Sequence, residues 1–100
     1  MVKLVVCYGT PEDMAAFDAH YTETHVPLVH KIPSLKRFEH GKVLGTPDGA
    51  RAPYYYLAEL WFDSPGDLQG AMQSAEGEAA GADVPAFASG GATLMIAEAS

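Results

Sequence analysis

The chain has 100 residues, 48% of them hydrophobic, which suits one packed core and one domain over residues 1–100. Six lysines and arginines against 13 acidic residues give a net charge of −7, which repels phosphate backbones and anionic lipid and so argues against nucleic acid and membrane partners. There is no apolar run of about 18 residues and no secretion signal in "MVKLVVCYG", so a cytoplasmic location is expected; the single Cys7 excludes an internal disulfide and reads as a small buried hydrophobe.

"VKLVVCY", residues 2–8, is β-branched and apolar and predicts a strand ended by Gly9. In "TPED" Thr10 is the expected helix N-cap and Pro11 the first helical residue, with acids in the first turn. Met14, Phe17, Tyr21, His25 and Leu28 then fall at helical spacing as an apolar stripe, while Asp13, Asp18 and Glu23 lie off it. After "IPSL" closes the helix, "LKRFEHGKVLG" alternates as a strand with a bulge or bend expected at Gly41. "GTPDGARAP" carries turn chemistry, and "YYYLAELWFD" is the most apolar strand. Its alternation places Tyr54, Tyr56, Ala58, Leu60 and Phe62 on one face and Tyr55, Leu57, Glu59 and Trp61 on the other. "SPGD" opens a second helix with Ser64 as cap, Ser74 to Gly91 reads as a helical turn or two plus loop, and "ATLMIAEA" is the last strand.

The order βαββαβ predicts an α+β, ferredoxin-like fold, a four-stranded antiparallel sheet with both helices on one face. Tyr55, Leu57 and Trp61 would then lie on an uncovered face, and a homodimer packed sheet to sheet through it, an α+β barrel, is expected.

Three of the four histidines, His20, His25 and His30, recur at intervals of five. On a regular helix five residues turn by about 140°, so the three do not share a face, and with no Cys or carboxylate cluster nearby no metal site is expected. His20 and His30 read as solvated, and the facing of His40 is open. His25 lies in line with Phe17 and Tyr21, and Pro27 requires the helix to kink or break beside it. Two readings of His25 stand: a core histidine satisfied by a local hydrogen bond, or a general acid or base in a pocket between helix and sheet. Tyr54 and Tyr56 would offer phenols to that pocket and Ala58 would leave room in it. Asp83, near Phe87, would either orient the imidazole or lie in an exposed loop.

"YTETHVPLVHKIPSL" from Tyr21 onward, "PYYYLAELWFDS" and "ADVPAFASGG" together resemble the EthD family of small dimeric α+β barrel proteins, over essentially the whole chain. The family takes its name from a gene cluster for ethyl tert-butyl ether degradation, where the protein accompanies a cytochrome P450 system. Its structural relatives include cofactor-independent decarboxylases, dehydratases, cyclases and oxygenases acting on polyketide-like or aromatic compounds. The resemblance assigns the motif histidine to His25 and an acidic partner to Asp83. It implies no cofactor, and no dinucleotide fingerprint, flavin motif or cysteine pair supports the "reductase" label some members carry. The expectation is a small-molecule enzyme or enzyme accessory acting on a hydrophobic carbonyl-bearing or aromatic compound. His25 and Asp83 would be catalytic, and Tyr21, Tyr54, Tyr56, Phe17 and Phe87 would hold the substrate. The alternatives are a non-catalytic ligand-binding partner of an oxygenase and a heme-binding barrel with His25 as axial ligand.

Overall fold

The computed structural model describes residues 1–100, and its sheet runs β2-β3-β1-β4, antiparallel throughout. The strands are β1 (Val2–Tyr8), β2 (Arg37–Lys42), β3 (Tyr56–Phe62) and β4 (Ala92–Glu98). All helices cover one face, which gives the ferredoxin-like α+β fold. Val2, Leu4, Val6 and Tyr8 on β1 pair with Phe62, Leu60, Ala58 and Tyr56 on β3, and this alternate set forms the buried floor under the helices. β2 keeps an unbroken register, Gly41 opposite Leu57 and His40 opposite Ala58, so the bulge expected at Gly41 does not form. No helix is long and apolar enough to cross a membrane.

The first helical run starts later than Thr10 and Pro11. Asp13 is the N-cap of α1 (Met14–His20), accepting from the Ala16 N–H at 3.0 Å. A π-helical turn follows at Tyr21–His25, and α2 (Val26–His30) continues it. The Val26 N–H bonds the Tyr21 carbonyl, an i→i+5 closure. The kink or break expected beside Pro27 takes the form of this widened turn, and the proline, which has no N–H for a carbonyl of the preceding turn, lies at the start of α2.

That widening sets the facing of the site. Phe17, Tyr21, His25 and Val29 are all buried and recur every four residues. On a regular α-helix each such step would drift by about 40°, enough to carry the last of them off the sheet. The wide turn takes up the drift. Val29 replaces the expected Leu28 on the stripe, and Met14, 55% exposed, drops off its start.

Ser64 caps α3 (Pro65–Gln73) through the Asp67 N–H at 3.1 Å. The next stretch is the largest departure from the sequence reading: instead of a turn or two, α4 (Ala75–Phe87) is a 13-residue helix. Ser74 caps it through the Gly77 N–H at 3.0 Å, Glu76 and Glu78 complement the dipole of its first turn, and alanines carry it forward. Pro85 falls near its end.

The sheet's other face carries Lys3, Val5, Leu57, Trp61 and Met95. Lys3 pairs with Glu59 at 2.6 Å and Arg37 with Glu39 at 2.7 Å, and the two cations lie 5.3 and 5.0 Å from the centre of the Trp61 ring. Tyr55 is not part of this face. Its ring meets Phe17 edge-on at 5.2 Å and its hydroxyl donates to Asp18 at 2.7 Å, tying the strand entry to α1.

Candidate active site

A cavity of about 80 Å³ lies between helices and sheet. Its floor is Leu4, Val6, Tyr8, Ala58 and Leu60, and its roof is formed by Tyr21, His25 and Val29 from the first run and by Ala80, Gly81 and Val84 from α4. Leu94 on β4 lines it and is 56% exposed, which marks its mouth. The wall is almost wholly apolar, so the few polar atoms on it fix what a ligand can do there.

His25, 4% exposed, is one of them. Its Nδ1 lies 3.0 Å from Asp83 Oδ2, a carboxylate brought in by α4. Asp83 is therefore neither a loop residue nor an exposed acid. At neutral pH the contact places the imidazole proton on Nδ1, donating to the carboxylate, and leaves Nε2 as a bare lone pair without a protein partner. Burial lowers the His25 pKa from its ordinary value, and the hydrogen bond and charge of Asp83 oppose that shift without overcoming it.

Tyr21 is the second polar element. It is 1% exposed, its ring lies 5.1 Å from that of His25, and its buried hydroxyl makes no hydrogen bond of ordinary geometry, with the Tyr8 hydroxyl as its polar neighbour. Burial raises the Tyr21 and Tyr8 pKa values far above the ordinary phenol value, so both hydroxyls stay protonated and serve as donors.

The remaining expected residues fall at graded distances. Phe87 sits 4.8 Å from the His25 ring, and Phe17 stacks on Tyr21 at 5.8 Å from within the core. Tyr56 packs 4.5 Å from Tyr21 and hydrogen-bonds Nδ1 of His40 at 2.7 Å, so its phenol is engaged behind the cavity wall. Burial lowers the His40 pKa, which leaves it neutral as the acceptor. Tyr54 is not brought to the site: it precedes β3 and lines a separate surface hollow with Met14 and Leu44.

His20 corrects the sequence reading most sharply. Its Nε2 bonds Asp83 Oδ1 at 2.8 Å, so it shares a carboxylate with His25 instead of facing water alone. In a turn closed by i→i+5 bonds five residues make little more than one revolution, so the interval that separates two side chains on an α-helix aligns them here. That interval, read together with Pro27, was the available signal. Tyr8 and the small residues of α4 had none, because β1 and the Ala-Gly stretch carry no polar periodicity.

Comparison with known proteins agrees with this architecture. The EthD domain model matches residues 10–91. An uncharacterized 11.0 kDa protein of the thcB-thcC intergenic region of Rhodococcus erythropolis is 46% identical over 98 residues, 98% of this chain and 94% of that protein. The crystal structure of an EthD family protein from Bacillus halodurans superposes with a TM-score of 0.93 at 43% identity, covering 100% of this chain and 99% of that one. Two more distant structures share the fold alone, both at 18% identity. One is a dimeric ferredoxin-like protein of unknown function from Jannaschia (TM-score 0.76, 98% of each chain). The other is a hydroxynitrile lyase from Passiflora edulis (TM-score 0.73, 95% and 89%). With the domain matched over most of its length and close relatives along nearly all of it, the chain belongs to the EthD family.

Proposed function

We propose that the protein is a cofactor-independent enzyme for a small hydrophobic compound bearing a carbonyl group, with His25 as general acid and base. The observation that carries this reading is His25, held through Nδ1 by Asp83 with no protein partner on Nε2, on the wall of an apolar cavity that Tyr21 also lines. Tyr21 donates to the carbonyl oxygen and stabilises the negative charge that develops there. His25, oriented by Asp83, removes a proton from the neighbouring atom and returns it to the product. A low-dielectric wall strengthens both interactions. Proton exchange next to a carbonyl serves dehydration, cyclisation and isomerisation alike, and a hydroxynitrile lyase shares the fold.

Size narrows the class. The hollow is about 80 Å³, smaller than the roughly 150 Å³ engineered cavity that takes up benzene, so it admits a compound of a few heavy atoms or the end of a longer one entering past Leu94. No lysine or arginine lines it, so a carboxylate is excluded from its depth in favour of a neutral group.

The same reading includes a homodimer packed through the open sheet face. Met95 is 49% exposed there beside the half-buried Leu57 and Trp61, and the Jannaschia protein of the same fold is described as dimeric.

Mass spectrometry of a panel of small neutral ketones, esters and aldehydes after incubation tests the chemistry. Wild-type protein should change the mass or isomeric form of at least one compound, and a His25→Asn variant should not. Binding of the compounds without any change would make the protein a carrier.

A further inference from the structure

Asp83 uses both oxygens on imidazoles: Oδ1 on His20 Nε2 at 2.8 Å and Oδ2 on His25 Nδ1 at 3.0 Å. It has no lysine or arginine partner; the two histidines are its only ion-pair contacts. The three side chains form a graded path from water to the cavity, 31% exposed at His20, 13% at Asp83 and 5% at His25. Phe87 packs against both imidazoles, stacked on His20 at 5.4 Å and tilted to His25 at 4.8 Å, so the outer ring is held as the inner one is. Tyr21 from the wide turn and Tyr8 from β1 are the other titratable groups facing this unit, and both remain neutral.

We propose that His20 is a positioning residue of this site: by occupying Oδ1 it fixes the carboxylate with Oδ2 aimed at His25 Nδ1, and it couples the protonation of the buried imidazole to that of one in contact with water. The inference rests on the reading of His25 as an acid and base, and assigns that chemistry a pH control. A single carboxylate compensates one positive charge. When both imidazoles are neutral, each donates its N–H to Asp83, which locks His25 in the tautomer with Nε2 free toward the cavity. When His20 takes a proton from water, the carboxylate is already compensated, and a second proton on His25 meets a like charge in a poorly solvated place. The exposed ring therefore protects the buried one from protonation as the pH falls, keeping Nε2 available as a base.

The sign for removing His20 follows. Without it Asp83 keeps its full charge for His25 and no competing cation forms, so the proton affinity of His25 rises. Ring-nitrogen NMR of the whole protein between about pH 5 and 9, without any substrate, reads this directly. In the wild type His25 should carry its proton on Nδ1 and titrate below the ordinary imidazole value. In His20→Phe, which keeps a ring against Phe87 but removes the donor and the competing cation, the His25 pKa should rise by about half a unit or more, a threefold or greater gain in proton affinity, with the proton still on Nδ1 in the neutral ring. In His20→Gln, whose amide can still donate to Oδ1 but takes up no proton, the same rise should appear. If the Phe variant does not fold, the Gln variant still reports the loss of coupling. A His25 titration identical to wild type in the folded variants would overturn the proposal. Because no turnover is measured, that outcome is separate from a failure of His25 to act on a substrate.

Discussion

Oδ2 of Asp83 accepts from Nδ1 of His25 at 3.0 Å across 58 residues of sequence, joining the widened turn of the first helical run to the helix before the last strand. The pair fixes which imidazole nitrogen is basic. Replacing Asp83 by Asn keeps the shape but offers an amide donor to Nδ1, which favours the opposite tautomer and blocks Nε2 with a proton. Turnover should fall by about 10²- to 10⁴-fold with the fold intact by circular dichroism. Undiminished turnover in Asp83→Asn would remove the carboxylate from the mechanism.

Tyr21 gives a prediction of unusual sign. Its hydroxyl is buried without a hydrogen bond of ordinary geometry, a situation that costs about 1–3 kcal/mol, so Tyr21→Phe should leave stability unchanged or raise it by about 1 kcal/mol while weakening binding of carbonyl ligands. Urea unfolding alongside ligand titration checks both halves. Marked destabilisation would mean that the hydroxyl has a structural partner, and unchanged affinity would mean that it does not meet the ligand.

Two glycines separate packing from propensity. A Cβ on Gly77 would lie 2.0 Å from the Ala71 carbonyl oxygen, where α4 crosses the end of α3, so Gly77→Ala should cost about 2–3 kcal/mol and displace one wall of the cavity. A Cβ on Gly70 in α3 meets nothing within 4 Å, and Gly70→Ala should gain about 0.5–1 kcal/mol. Thermal melts of the two variants should move in opposite directions; a shared direction would contradict the contact at Gly77.

Stability should also depend on pH in a defined window. Burial lowers the pKa of His25 and, less deeply buried, of His40. As pH falls below about 6.5 the unfolded chain takes up these protons before the native state does, so stability is complete above that value and declines as the pH approaches the lower native pKa. The slope for His25 alone is at most about 1.4 kcal/mol per pH unit. The urea midpoint should therefore drop between pH 7.5 and 5.5, and His25→Asn should lessen the drop. An equal drop in that variant would place the titrating group elsewhere.

Much of the architecture was legible because strands write their facing in a period of two: β1, β3 and β4 fall where alternation or apolar runs put them, and His25 faces the core as its spacing from Phe17 and Tyr21 implies. What stayed hidden was whatever departs from a regular period. The i→i+5 turn at Tyr21–His25 converts the five-residue interval of His20 and His25 from opposed to aligned, and a reading at 3.6 residues per turn assigns His20 to solvent. α4 has no apolar stripe; a serine cap and alanine propensity make it a helix, and Gly81 and Pro85 disguise it. Tyr54 was misplaced because the run of tyrosines looks continuous with the strand, which starts only at Tyr56.

The base itself can be examined without knowing the natural substrate, through hydrogen–deuterium exchange beside the carbonyl of a small ketone such as acetone in deuterated water, followed by proton NMR. Wild-type protein should accelerate loss of the α-proton signals above the buffer rate, with His25→Asn returning it to that rate. Acceleration that persists in the His25→Asn protein, or none in the wild type with the ketone shown to occupy the cavity, would contradict a proton-transferring role for His25.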